Sequence, residues 1–332
     1  VVLTPQTQPV LQSKDGIEYI YRKADEQSIH LLPLGATTKN LEGKELSELY
    51  DMHQSGAVGF YNGKNSIENP NVQKLALLYA RTFNAPVFTF PNQKNLSENG
   101  QMNEGETSTY LGLKGLPSLS EEITIQRDIY LCEYCESAIH FTSISSAKSV
   151  ELIREAKARG LNVTCDVNLY NLVLTDEELT SYDTRYKVLP PLRTNDDRLA
   201  LIEGLKDGTI DAIAVDHIPQ DIELKKCEFE HAAFGMRGLE TALGLYGKQL
   251  AETLGWENWV NWISHNPRNI LGSSQISINN GSIAELTLFN PNADWKIDIK
   301  SLKPTSENNP FYKSDLKGKA FGIVNKGKLV RS

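Results

Sequence analysis

Ser145-Ser-Ala-Lys-Ser-Val-Glu-Leu-Ile-Arg-Glu-Ala-Lys-Ala-Arg-Gly160 runs almost directly into Asn162-Val-Thr-Cys-Asp-Val-Asn168. The first stretch opens on serines that can cap a helix and spaces Val150, Ile153 and Ala156 helically. It ends on a glycine, the residue best suited to close a helix in the left-handed conformation. The second stretch is short and β-rich, as a strand requires. A capped helix feeding a strand is half of a βα unit, and the alternation repeats on both sides. Strands are expected at 1–4, 29–34, 57–61, 86–90, 138–143, 162–168 and 211–216. Helical patterns lie near 16–26, 43–55, 69–83, 119–136, 146–159 and 195–206. Ile210-Asp-Ala-Ile-Ala-Val215 is nearly continuous in apolar residues, which suits a parallel strand covered on both faces.

The fold class is therefore α/β, and the expected architecture is a (β/α)8 barrel of the TIM type. A closed barrel uses eight strands, so one further βα unit is expected upstream of Val1. An open seven-stranded sheet gives the same count. After about residue 265 the texture changes to short β-rich runs separated by Asn, Pro and Gly. Gly281-Ser-Ile-Ala-Glu-Leu-Thr-Leu-Phe-Asn-Pro291, the run 295–299 and the run 318–330 predict a small β appendage. Asn325-Lys-Gly-Lys328 offers the residues of a tight hairpin. The division expected is a barrel domain over 1–270 and a β-rich appendage over 271–332, part of a small β-sandwich.

Composition narrows the partners. The chain has 332 residues, a net charge of −8 and 40% hydrophobic residues, with acids and bases interspersed. No basic stripe favours nucleic acid or an anionic membrane. No apolar run of membrane-spanning length and no basic-then-apolar leader is visible, so a cytoplasmic protein is expected. Four cysteines do not suggest a disulfide framework. Cys132 and Cys135 form a C-x-x-C inside a helical pattern, away from the turns where thiolates are stabilised, so a structural role is expected.

Several ordered segments carry a resemblance. Leu111-Gly-Leu-Lys-Gly-Leu-Pro117, Glu121-Glu-Ile-Thr-Ile-Gln-Arg-Asp128, Lys187-Val-Leu-Pro-Pro-Leu-Arg193, Val215-Asp-His-Ile-Pro219 and Phe234-Gly-Met-Arg-Gly-Leu-Glu-Thr241 follow one another in the order found in dihydroorotases. Gly281-Ser-Ile-Ala-Glu285 and Asn308-Asn-Pro-Phe311 resemble the ends of such proteins. The chain is thus identified as similar to the dihydroorotase branch of the amidohydrolases. Dihydropyrimidinases and allantoinases share the fold, but the Pro-Pro-Leu-Arg and Gly-Leu-Glu-Thr segments favour dihydroorotase. The resemblance implies reversible closure of carbamoyl aspartate to dihydroorotate in pyrimidine synthesis. It also implies one or two zinc ions to polarise the amide and generate hydroxide.

Position by position, the implied site is depleted. Asp216 matches the aspartate that transfers the proton, and His217 follows it. The metal positions carry Asn62, Phe90, Ser143 and Asn171, where the family has carboxylate or histidine. Asn92 and Gln93 stand over an acidic pair, and Gln220 replaces a histidine. Among substrate-binding positions, Gln6 and Leu189 replace asparagines, and Gly235 is retained. His140 matches a position that is not a ligand and is expected to alternate to the face opposite Phe141 and Ser143. Zinc needs three or four N, O or S donors, so no metal and no cofactor is expected, with zinc implied only if the protein is an active hydrolase. Asp216 is expected to survive by bonding neighbouring backbone or Arg193. Arg127, Arg193 and Arg237 are expected in surface or structural ion pairs, with anion binding as the alternative. The resemblance implies a homo-oligomer and, for a non-catalytic member, an assembly or regulatory role with aspartate transcarbamoylase. The rival expectation is an active zinc-dependent dihydroorotase or related cyclic-amide hydrolase. A sensor using the emptied pocket is a third.

Overall fold

A computed structural model describes residues 1–297, 306 and 308–331. Each of the seven expected ranges contains a strand. In chain order they are β1 (Val2–Leu3), β2 (Leu32–Pro33) with β3 (Gly35–Ala36), β4 (Phe60–Tyr61), β5 (Val87–Thr89), then a separate two-stranded ladder of β6 (Met102–Asn103) and β7 (Gly115–Leu116), then β8 (Ile139–Phe141), β9 (Val163–Asn168) and β10 (Ala212–Ala214). β1 pairs with β2, and β3, β4, β5, β8, β9 and β10 follow side by side, every pairing parallel. Leu34 links β2 to β3 and bonds back to Leu3, so the two short strands act as one stave. Among the described residues β1 and β10 pair on one side only, which leaves the wall open between them.

Local signals explain the helices. Ser146 caps Ala147–Ala158 by accepting from the Ser149 amide, and Gly160 follows the helix with φ of 78°. Thr194 and Asp197 form a reciprocal capping box on Asn195–Lys206. Pro70 starts Pro70–Arg81, where a missing N–H costs nothing, and Asn69 caps it. The helix expected over 43–55 is shorter, Leu49–Gln54, because a Thr38–Leu46 bridge and a left-handed Gly43 hold the preceding residues in a loop. The helices bury Ile125, Ile129, Val150 and Ile153 against Ile139, Phe141, Val163 and Cys165 in one core. Each such large side chain contributes roughly 1.5–3 kcal/mol.

The C-terminal strands are antiparallel: β11 (Leu286–Lys296), β12 (Asp315–Asn325) and β13 (Lys328–Arg331). The two runs expected at 281–291 and 295–299 form one strand, with register breaks after Leu288 and Asn290 that accommodate Pro291. Residues 298 and 299 of the second run lie outside the described residues. Lys326 and Gly327 both have positive φ, as a two-residue hairpin turn requires. The sheet lies close against the helix Ala242–Gln249. A Cβ at Gly247 would stand 1.9 Å from the Lys317 carbonyl oxygen, so only glycine permits the approach.

Candidate functional site

The carboxyl ends of the staves open on a cavity of about 410 Å³. In this architecture that end carries the loops that vary in chemistry. Thr4 and Gln6 come from beyond β1, Tyr61 from β4 and Lys64 from just beyond it, Thr142 and Ser143 from beyond β8, Asp166 and Asn168 from β9, and Asp216 and His217 from beyond β10. Ile263, Pro267, Ile270 and Leu271 line it beside the open wall. Gln6 packs on Gly63, where a Cβ would stand 2.5 Å from its side-chain amide carbon.

One hydrogen-bonded chain crosses the cavity. Lys64 Nζ lies 2.7 Å from Asp216 Oδ2 and also donates to the Leu189 carbonyl. Tyr170 Oη donates to the same Asp216 oxygen at 2.6 Å and accepts from Asn168 Nδ2 at 2.8 Å. Ser143 Oγ donates to Asn168 Oδ1 at 3.1 Å. The Ser143 amide donates to Asp166 Oδ1 and Thr142 Oγ1 to Asp166 Oδ2, both at 2.8 Å. His140 completes the chain with Nε2 3.0 Å from Asp166 Oδ2 and Nδ1 2.8 Å from Thr164 Oγ1.

Electrostatics hold this network in place. Burial, reinforced by Asp216 and Asp166, pushes the Tyr61 and Tyr170 phenols well above their ordinary range, so both stay protonated donors. Burial lowers the His217 pKa, and its Nδ1 accepts from the Gly238 and Leu239 amides at 3.3 and 3.2 Å. That nitrogen therefore has no lone pair to spare.

Not all the sequence-derived positions converge here. Gln6, Ser143 and Asp216 line the cavity. Asn62 does not. Its amide accepts from Thr38 N and Oγ1 and donates to the Leu41 and Asn65 carbonyls, tying two loops together. Asn171 turns away and donates to the Pro191 carbonyl. Gly235 lies in a loop clamp, its amide on Lys187 O and its carbonyl taken by Asn308. Phe90 and Leu189 pack in a small apolar cluster at the cavity wall. His140 shares the cavity with Ser143, contrary to the expected alternation, because Ser143 adopts φ of 61° and swings its side chain inward. Asp216 is bonded by Lys64 and Tyr170 rather than by Arg193. Arg127, Arg193 and Arg237 sit in internal ion pairs with Asp128, Glu121 and Glu240, outside the cavity. Lys64, Tyr170 and Asp166 were not singled out in the sequence. Lys64 could have been found as the first charged residue after β4.

The donors present do not fit a zinc ion. Among the described residues no three His, Cys, Asp or Glu side chains cluster. Asp216 and Asp166 already have their partners, and Phe90 carries no donor atom. The C-x-x-C pair is elsewhere and fully packed: Cys132, Cys135 and Cys165 are buried, and only Cys227 is exposed. Burial raises the Cys132 thiol to about 11 and pushes the Cys165 thiol well above its ordinary range. A disulfide-exchange reagent such as DTNB is therefore expected to titrate one rapid thiol per native chain, and Cys227→Ser to remove it.

Comparison with known proteins agrees with this architecture. The Dihydro-orotase-like family matches residues 1–149. The chain is 38% identical over 332 residues to the dihydroorotase of Syntrophus aciditrophicus, spanning 99% of this chain and 78% of that protein. It belongs to the dihydroorotase family. The dihydroorotase of Acetivibrio thermocellus is 39% identical over 333 residues, with the same coverage. The fold is that of the cyclic-amidohydrolase barrels. The L-hydantoinase of Arthrobacter aurescens superposes with a TM-score of 0.85 at 22% identity, covering 100% of this chain and 76% of that one. The inactive dihydroorotase-like domain of the Chaetomium thermophilum CAD-like multifunctional protein superposes at 0.66 with 16% identity, covering 99% and 82%. The choice of dihydroorotase over its fold relatives, made on short motifs, agrees with the identities. No helix among the described residues is long and apolar enough to cross a membrane.

Proposed function

We propose that this dihydroorotase-family protein does not turn over dihydroorotate and serves an assembly or regulatory role, with aspartate transcarbamoylase as its partner. The observation that carries the reading is the Lys64–Asp216 pair, which engages the one retained proton-transfer residue. The Asp216 oxygen that would meet an incoming water is already taken by an ammonium and a phenol. The Chaetomium thermophilum domain that shares this fold is described as inactive, and a fold does not by itself fix an activity, which supports the reading. The helices Leu49–Gln54, Pro70–Arg81 and Leu119–Cys135 expose Tyr50, Leu75, Tyr79, Ile123, Tyr130 and Tyr134. Tyrosine-rich apolar faces of this kind suit a protein interface, including one between copies of this chain.

The test is hydrolysis of dihydroorotate by the full-length protein with zinc supplied, beside Asp216→Ala. Both proteins are expected to be inactive. Turnover lost in Asp216→Ala would establish the rival reading of an active zinc-dependent hydrolase. Co-elution with aspartate transcarbamoylase, weakened by Tyr130→Ala with Tyr134→Ala, is the expected result for the assembly role. Separate elution at about 10 μM of each protein, well above a specific Kd, would remove that partner.

A further inference from the structure

We infer that the Asp216 end of the cavity is a built site for a primary ammonium, filled by this chain's own Lys64 in place of a metal ion. Three groups surround the Lys64 Nζ. The Asp216 carboxylate lies at 2.7 Å, the Leu189 carbonyl accepts a second hydrogen bond, and the Phe90 ring centroid lies at 5.8 Å. A carboxylate, a carbonyl and an aromatic face are what an ammonium binds when withdrawn from water. Both charged side chains are withdrawn, at 17% and 14% exposure.

The same geometry accounts for one substitution in the sequence. Phe90 removes an imidazole that would repel an ammonium when protonated, and offers a π face instead. At position 189 the lysine meets only the backbone oxygen, which any residue would supply. A lysine in this position supplies one positive charge to Asp216 without any bound ion. A dication set against the same oxygen would face like-charge repulsion from the ammonium and would have to displace Tyr170 as well. The inference rests on the metal-free reading of the cavity proposed above. Its readout is thermal, so the two can fail separately.

The experiment compares melting temperatures of the full-length protein and two variants, with a second pair in reserve. Lys64→Ala leaves the carboxylate, the carbonyl and the ring around an empty seat, and is expected to melt several degrees lower. Adding about 20 mM n-propylammonium chloride, which carries the same charge on a shorter stem, should restore at least half of the loss through mass action. Sodium chloride at equal ionic strength should not. Lys64→Ala with Asp216→Asn should melt above Lys64→Ala alone and be indifferent to the amine. Should Lys64→Ala fail to fold, Lys64→Met with and without Asp216→Asn reads the same coupling, the double variant being the more stable if the inference holds. Wild type should be unmoved by equimolar zinc chloride and retain no zinc after dialysis. One zinc retained per wild-type chain, a Lys64→Ala variant indifferent to the amine, or a double variant no more stable than the single would each overturn the inference. Zinc-free turnover of dihydroorotate would sink the non-catalytic reading and leave the ammonium site standing.

Discussion

Replacing Glu121 with alanine should lower the unfolding free energy by about 3–5 kcal/mol, the usual cost of breaking a buried ion pair from one side. Glu121 is 2% exposed and receives the Ser145 and Ser146 amides at 2.8 and 3.1 Å. Those amides lie at the N-terminus of the helix Ala147–Ala158, where a carboxylate also meets the positive end of the helix dipole. Arg193 stands 3.7 Å from the same carboxylate and is itself 4% exposed. It donates onward to Ser145 Oγ, Asn103 Oδ1 and the Leu116 carbonyl, and Asn103 donates to Asp176. Alanine at 121 would leave a buried guanidinium without its counter-charge and two buried amides without their acceptor. Glu133→Ala supplies the control. Its pair with Arg159 is about half exposed on both sides, so the loss should stay below about 0.5 kcal/mol. Urea unfolding of the three proteins at neutral pH decides the matter, and equal midpoints for the two variants would remove the network from the account of stability.

That network shows how unevenly the sequence discloses structure. Glu121 and Arg193 belong to the segments that carried the family resemblance, yet their shared role depends on contacts across more than seventy positions, which no periodicity encodes. Most staves were legible because they are short apolar runs between helical patterns, and those signals are local. The ladder of Met102–Asn103 with Gly115–Leu116 was not, since two residues give no period to read. In the candidate site, Asp216 and Ser143 were legible from motif position, and both line the cavity. Asn62 and Asn171 occupy matching positions but donate to nearby backbone carbonyls instead of facing the cavity. Lys64 escaped notice because a lysine one residue after a glycine reads as a solvated loop. Only the tertiary fold brings it to Asp216, across the barrel mouth.

Two further lysines make the second large prediction, a rise of stability with pH. Lys187 and Lys225 are 2% and 6% exposed, and neither has a carboxylate partner at ion-pair distance among the described residues. Backbone carbonyls cage them instead. Lys187 Nζ donates to Phe229 O at 2.7 Å and Glu230 O at 3.1 Å, and to Gln101. Lys225 Nζ donates to Thr184 O and Ala233 O, both at 2.8 Å, and to Lys187 O at 3.3 Å. Burial lowers each pKa from 10.5 to about 8, with the neighbouring Lys187 charge adding to the effect on Lys225. The unfolded chain therefore binds more protons than the folded one between about pH 8 and pH 10.5, and stability must rise with pH across that window. It is lost again as pH falls through about 8, where the folded lysines take up their protons. A fall of this size corresponds to about 3 kcal/mol for one lysine, and two adjacent sites do not simply add. Surface deprotonation at alkaline pH works against the gain in every variant alike, so the difference between wild type and Lys187→Met with Lys225→Met isolates it. Urea unfolding at about pH 7.5 and about pH 10 should show wild type gaining about 3 kcal/mol relative to that variant. A difference that stays constant with pH would mean that the carbonyl cages repay the lost hydration in full, so that both ammoniums keep an ordinary affinity for their protons.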